Sequence, residues 1–431
     1  MTSTRPFRFR GLEIAFVRKA VFLILHLQRM LALLVKSLLF ARLHPSQVLR
    51  TVLVFRTGRL GDFLNAVPAL HVLRKRLPDA RIILATTVSA HPAMQVLTAT
   101  YADLSALPWL DLVVPTPVDR AVAFSMAGRS RGVTHLRRLL SEERPDAVFI
   151  LANMGETLRS RVKKLVFFRW AGHRGPLFGV AGLPSRGLLR RRQFELRFYE
   201  HEVYGPVRAI SECPRIGPVE DCELVQQLSI PEPAIRRLRE IVPKTWITGR
   251  PLVAIAPGAS FPHKMWPAER YVDVCRKLLR EFDCRLVLVG SDGDRRLGAE
   301  IQASLGANCL DLTGRTSVTE LAALLGQCRL LVGNDSGPAH LASASGCPCV
   351  TVTSALDFPG VWEPWNSRGR VARTRIDCEF CLSLTCCPLG TNACILAIEV
   401  IEVVGLCRQV LGTAVGDRWQ TTPSTEALSR A

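Results

Sequence analysis

From Thr51 onward the chain alternates short apolar runs with longer segments in which apolar positions recur every three or four residues. VLVF (52–55), RIILAT (81–86), DLVVP (111–115) and DAVFILA (146–152) read as buried strands. Ala66 to Leu77 has helical spacing and stops before Pro78, because the residue ahead of a proline is pushed out of the helical region. A basic helix is predicted around His135 to Leu140 and another from Arg197 to Ser211. Between Cys213 and Arg250 prolines are frequent, with one short helix around Ala234 to Ile241, and this stretch reads as a connection. The alternation then restarts. Strands are predicted at 252–258, 285–291, 310–312, 329–334 and 348–353, and helices at 268–281, 294–305, 318–327 and 337–345. Strand–helix alternation implies parallel sheets covered by helices on both faces, so the fold class is α/β with two doubly wound, Rossmann-like domains. A last helix from Cys394 to Leu411 precedes a polar tail of disordered composition. The domain boundaries that follow are 1–49, 50–220, 221–248 for the connection, 249–393, and 394–431.

Phe16 to Ala41 breaks the alternation. It is strongly apolar, yet His26, Gln28, Arg29 and Lys36 interrupt it, so it reads as an interfacial helix and not a membrane span. Arg18, Arg29 and Lys36, spaced by 11 and 7 residues, fall on nearly one helix face and predict a cationic stripe beside a broad apolar face. The alternative is a core helix laid against the next domain. No small-residue cleavage site follows the apolar run, which argues against a cleaved signal peptide.

Charge changes the picture further. The net charge is +19, and all of the surplus lies in residues 1–50 and 120–200. A basic half suits an anionic partner, with a solvated surface as the plain alternative. Few aromatic residues interleave with the arginines of 120–200, so base stacking is poorly served and nucleic acid is not expected as a partner. The 14 cysteines are mostly scattered singly in apolar runs, as expected in a reducing cytosol.

The candidate chemistry sits in three strand-end loops: FRTGRLGD (55–62), APGASFPHKMWP (256–267) and LLVGNDSGPAH (330–340). Ligands of open α/β sheets bind at that edge, and helix starts hold phosphate. The turn after the first strand is Gly58-Arg59-Leu60-Gly61, not the spaced triple-glycine dinucleotide fingerprint, and no GxxxxGK[ST] phosphate loop occurs. A dehydrogenase or an NTPase is therefore disfavoured, and a nucleotide-sugar enzyme is favoured.

Over about residues 50–365 these motifs resemble glycosyltransferase family 9, the heptosyltransferase family of lipopolysaccharide assembly. The stretch 55–82 resembles its N-terminal strand, Gly-Asp loop and helix. APGASFPHKMWP resembles its Lys-x-Trp-Pro donor loop, and 314–352 its Asp-[Ser/Thr]-Gly-x-x-His element. The resemblance implies the GT-B fold, with two domains facing across a cleft. It implies an inverting, metal-independent transfer from a nucleotide sugar, ADP-heptose being the family's usual donor. The acceptor would be a lipopolysaccharide-core or other anionic glycolipid, reached from the inner face of the cell membrane by a cytoplasmic, peripherally attached enzyme. A non-catalytic scaffold of the same fold that binds an anionic glycan is the alternative.

Asp62 is the candidate general base, aligned by the resemblance with the family's proposed base; a helix N-cap is its plain alternative. Gly58, Arg59 and Gly61 would form the acceptor loop. Lys264 would offset the charge of the departing diphosphate, the alternative being an exposed loop lysine. Pro257, Gly258 and Ser260 would line the donor pocket with Asp335, Ser336, Gly337 and His340. Asp335 suits a sugar hydroxyl better than a phosphate, and His340 could equally be a packing residue. No catalytic cofactor is expected. Five thiols fall within residues 378–394, and Cys378, Cys381, Cys386 and Cys394 offer ligands for a structural zinc; disulfides or free thiols are the alternative.

Overall fold

The computed structural model describes residues 27, 30–44, 46–88, 117–125, 129–151, 158–180, 200–247, 249–365, 368–379, 381, 383 and 386–413. The expected strand at 111–115 and the polar tail beyond 413 lie outside them.

The first domain carries β1 (Thr51–Thr57), α1 (Leu60–Leu64), α2 (Val67–Arg76), β2 (Arg81–Val88), β3 (Arg120–Ser125), α3 (Arg129–Glu143), β4 (Ala147–Ile150), α4 (Leu158–Trp170), β5 (Leu177–Phe178) and α5 (Tyr204–Ser211). Its five strands run parallel in the order β3-β2-β1-β4-β5. β1 is central and buried along residues 52–56, as a parallel strand covered on both faces must be. Pro68 at the start of α2 is tolerated because the first helical amides lack partners in any case.

α6 (Glu232–Ile241) lies in the connection. The second domain then adds β6 (Leu252–Ala256), α7 (Ala268–Glu281), β7 (Arg285–Leu288), α8 (Arg295–Leu305), β8 (Cys309–Asp311), α9 (Val318–Leu325), β9 (Leu330–Asn334), α10 (Gly337–Ala344), β10 (Cys349–Val352), β11 (Arg370–Ala372) and α11 (Val400–Thr413). Its sheet is parallel, in the order β11-β10-β9-β6-β7-β8. Local signals explain the boundaries here. α7 buries Tyr271, Val272, Val274, Cys275 and Leu278, a stripe at helical spacing. α9 starts at a capping box, with the Glu320 amide donating to Ser317 Oγ at 3.2 Å and the Ser317 amide to Glu320 Oε2 at 2.7 Å.

Several expectations need correction. The expected helix at 197–211 begins at Tyr204. The last helix is two pieces, Ala393–Leu396 and α11, and α11 buries Val403, Val404 and Cys407 in the second domain's core instead of standing apart from it. β3, α4, β5 and β11 were not expected; β5 and β11 are two and three residues long, too short to show a period.

Residues 30–39 are helical. Ala32 and Phe40 are buried, and Val35 and Leu39 pack on the cluster of Phe55, Leu136 and Leu165. Lys36 does not face outward: its ammonium lies 3.5 Å from Glu212 and 5.0 Å from the Phe178 ring centroid. The predicted cationic stripe therefore turns its one described member inward; Arg18 and Arg29 lie outside the described residues. Among the described residues no helix is long and apolar enough to cross a membrane.

Candidate active site between the two domains

The turn after β1 is held by two constraints. Gly58 has φ +141°, and a Cβ there would come within 2.5 Å of the Asp62 Cβ, so glycine is required. Asp62 sits in the first turn of α1, where its Oδ2 accepts the Arg59 amide at 2.9 Å. Arg59, not Asp62, is the N-cap, and Asp62 ties that cap from the third helical position through one carboxylate oxygen. The other, Oδ1, lies 4.0 Å from the Arg56 guanidinium.

Arg56 was not singled out from the sequence. It closes the buried strand β1 with 1% of its surface exposed. Its Nε and Nη2 donate to the Asp62 carbonyl at 3.1 and 2.8 Å, and Nη1 donates to the Leu151 carbonyl at 2.8 Å. Glu202, buried as well, stands 3.9 Å away. A charge inside the apolar run VLVFRT was the available signal, because a buried guanidinium must be paired.

In the second domain the loops after β6 and β9 are tied together by buried Asn334. Its Oδ1 accepts the Trp266 amide at 3.0 Å and its Nδ2 donates to the Pro257 carbonyl at 2.6 Å. This fixes Pro257 and Gly258, both buried, while Ser260 is exposed at the rim. Trp266 packs edge-on against Tyr271 and donates to the Ile398 carbonyl, so the loop is anchored from below. Lys264 Nζ donates to Asp335 Oδ2 at 2.6 Å. Asp335 Oδ1 lies 3.8 Å from His340 Nε2. Ser336, at the N-cap of α10, donates to the Asn334 carbonyl at 3.3 Å, and Gly337 opens the helix. Asp357, also unanticipated, joins this cluster: burial pushes its carboxyl up, Lys264 pulls it down, and Asp335 pushes it up again.

The two loop systems meet at His340. Gly61 approaches so closely that a Cβ would lie 3.0 Å from the His340 ring, and Leu60 packs beside Gly337. Arg59 lays its guanidinium over the Phe261 ring, 4.7 Å from the centroid. His340 is buried, and that burial lowers its pKa; Asp335 and Asp62 act against the shift and Lys264 with it. The imidazole is therefore neutral at ordinary pH. Acceptor-loop and donor-loop residues predicted from separate motifs thus converge on one junction.

The cysteine segment lies next to the donor loop. A cavity of about 130 Å³ is lined by His263, Cys378, Cys381, Cys387 and Cys394 among others. Cys387, not the expected Cys386, completes this thiol wall; Cys386 is exposed. Among the described residues no group of three or more His, Cys, Asp or Glu is arranged to hold a metal ion.

Comparison with known proteins follows the same line. Residues 190–390 match the profile of glycosyltransferase family 9 (heptosyltransferase). The chain is 27% identical to lipopolysaccharide heptosyltransferase 2 of Salmonella typhimurium, over 75% of this chain and 87% of that protein. A family 9 glycosyl transferase from Veillonella parvula superposes with TM-score 0.65 at 20% identity, covering 84% of this chain and 98% of the other. The ADP-heptose lipopolysaccharide heptosyltransferase II of Escherichia coli superposes with TM-score 0.59 at 21% identity, covering 85% and 99%. At those identities the superpositions establish the fold, which is GT-B.

Proposed function

Because the chain belongs to glycosyltransferase family 9, we propose that it transfers a heptose from ADP-heptose to the core of a lipopolysaccharide or a related glycolipid. The observation that carries this reading is the junction at His340, where Gly61 of the first domain comes so close that a Cβ would lie 3.0 Å from the ring, while Asp335, bonded to Lys264 at 2.6 Å, lies 3.8 Å from the same imidazole. In this reading both substrates meet at that junction.

In this reading the Asp62 carboxylate takes the proton of an acceptor hydroxyl. The hydroxyl oxygen attacks the anomeric carbon on the face opposite the diphosphate. The carbon–oxygen bond to the diphosphate breaks, and the nucleoside diphosphate leaves with the electron pair. A single displacement of this kind inverts the anomeric configuration. Negative charge grows on the leaving group, so fixed positive charge acts most strongly in the transition state. Lys264 and the amide end of α10 supply it, and no step calls on a metal ion. Lys264 first has to leave Asp335, which frees that carboxylate for a hydroxyl of the donor sugar. Neutral His340 fills the space between the loops without adding charge.

The test is a calorimetric titration with ADP, UDP, GDP and CDP, followed by a transfer assay with ADP-heptose and NMR of the product anomer. Selective ADP binding and an inverted product are expected. Equal binding of UDP would sink the donor assignment, and a retained anomer would sink the single displacement.

A further inference from the structure

The helix of residues 30–39 covers the first domain with one face and, among the described residues, leaves the other bare. Its inner face carries Ala32, Val35, Lys36, Leu39 and Phe40. Its outer face presents Leu31, Leu34 and Leu38, with Leu27 and Met30 continuing the stripe. The spacing 27–31–34–38 holds these side chains on one line. Leu38 is 76% exposed and Leu34 56%. Trp170, at the end of α4, is 68% exposed. The two features are neighbours through the loop after α4: the Ala41 amide donates to the Arg174 carbonyl at 2.8 Å, and the Phe40 and His173 rings lie 5.9 Å apart.

Exposed leucines in a row are costly in water and mark a contact surface. What surrounds them identifies the partner. Arg42 and Arg174 are exposed beside the helix end, and exposed Arg137 donates to the Trp170 carbonyl at 2.8 Å. Both segments that meet here, residues 1–50 and 120–200, hold the entire positive surplus of the chain. An apolar stripe edged by arginines and a tryptophan matches the chemistry of an anionic bilayer surface: acyl chains for the leucines, the headgroup layer for the indole, and lipid phosphate for the guanidiniums.

We propose that this face, formed by Leu31, Leu34 and Leu38 together with Trp170 and edged by Arg42, Arg137 and Arg174, docks the protein on an anionic lipid bilayer. The apolar stripe makes the contact, and the arginines at its edge hold the orientation. Lys36 takes no part, because it is committed to Glu212 and Phe178 on the inner side. The docking face contains none of the residues at the interdomain junction, so it stands apart from the transfer chemistry.

The experiment is co-sedimentation of the full chain with phosphatidylethanolamine–phosphatidylglycerol vesicles and with neutral phosphatidylcholine vesicles. The triple variant Leu34→Asn, Leu38→Asn, Trp170→Asn is compared with the wild type, with thermal melting and ADP titration of both as controls for folding. The wild type should bind the anionic vesicles and lose binding as salt is raised. The variant should bind them at least ~tenfold more weakly while melting and binding ADP as the wild type does. Equal sedimentation of variant and wild type would overturn the proposal. So would a wild type that ignores vesicles but passes from dimer to monomer in light scattering when these residues change, since the face would then join two copies. Loss of binding on removal of residues 1–26, with the triple variant unaffected, would also overturn it by placing the contact elsewhere.

Discussion

The turn after β1 and the turn after β9 are built alike. Each ends a buried parallel strand and carries an aspartate at the passage into a helix. The fates of the two aspartates differ. Asp62 lies inside its helix, tied by one oxygen to the Arg59 amide, with Arg56 holding its carbonyl from beneath. Asp335 stands one residue before its helix cap and is ion-paired to Lys264 at 2.6 Å. The first loop thus holds its carboxylate rigidly at the strand end, beside the Arg56 guanidinium. The second holds its cation and anion against one another. A similar strand-turn-helix can therefore hold its aspartate in either way, and the partner of the aspartate decides which.

The most severe way to break this comparison is Asp62→Asn. The asparagine can still accept the Arg59 amide, so the fold should survive, while turnover should fall by about 10³-fold, or ~4 kcal/mol. Single-turnover kinetics beside ADP calorimetry would check it; near-normal turnover would reduce Asp62 to a tie on the helix cap.

Next is the stored ion pair. Lys264→Ala should weaken ADP binding by roughly 2–3 kcal/mol, because a charged hydrogen bond to phosphate is lost. Asp335→Asn should act in the opposite direction on ADP, releasing Lys264, yet weaken ADP-heptose by removing a sugar contact. Titrating both ligands into both variants separates the roles, and a parallel loss for ADP and ADP-heptose in Asp335→Asn would refute the division.

Acid sharpens the comparison through the histidines that seal the junction. His201 accepts the Val203 amide at Nδ1 and donates from Nε2 to the Glu363 carbonyl at 2.6 Å, an arrangement that requires the neutral ring. Burial lowers its pKa from the ordinary 6.5 to about 4. The unfolded chain then binds more protons than the folded one below 6.5. The stabilisation is complete above that value and is lost as the pH falls toward 4. Between pH 6.5 and 5 the loss should be about 2 kcal/mol for this residue. His340, lowered by burial, acts in the same direction. Urea midpoints at pH 7 and pH 5, for wild type and His201→Gln, would measure it; a wild-type midpoint that does not move would mean the ring is not held neutral.

The smallest effect is expected from Gly61→Ala. The added methyl would press on the His340 ring at 3.0 Å, so the rings and loops must shift slightly, at a cost below about 1 kcal/mol. Thermal melting should barely change while the KM for acceptor rises; a melting loss of the size seen in a packed core would show the two loops to be one rigid body.

Much of the second domain was legible because its helices announce themselves locally. The 268–281 helix was expected from its period and occurs with those bounds, and the capping box at Ser317 marks the start of another. The first domain yielded less. α4 has apolar residues scattered around its circumference, so no amphipathic period reveals it. The site divides in the same way. Asp62, Lys264, Asp335 and His340 were singled out because their loops carry glycines and charged residues at strand ends, in motifs that resemble the family's. Asp357 and Glu202 were missed because nothing in their immediate sequence marks them, and they matter only through neighbours far along the chain.

What the sequence by itself determined is the strand–helix alternation of most of the two domains, the three polar loops at strand ends, and the resemblance to glycosyltransferase family 9. Periodicity and turn chemistry are local, and local patterns are written in consecutive residues. Only the tertiary structure decided which oxygen of Asp62 is engaged, that Lys264 rests on Asp335, that Gly61 and His340 close the junction, and that Lys36 turns inward while Leu34 and Leu38 face out. Apart from the local Asp62–Arg59 bond, these depend on groups brought together across tens or hundreds of residues, and on which face of an element is left uncovered once the core has formed.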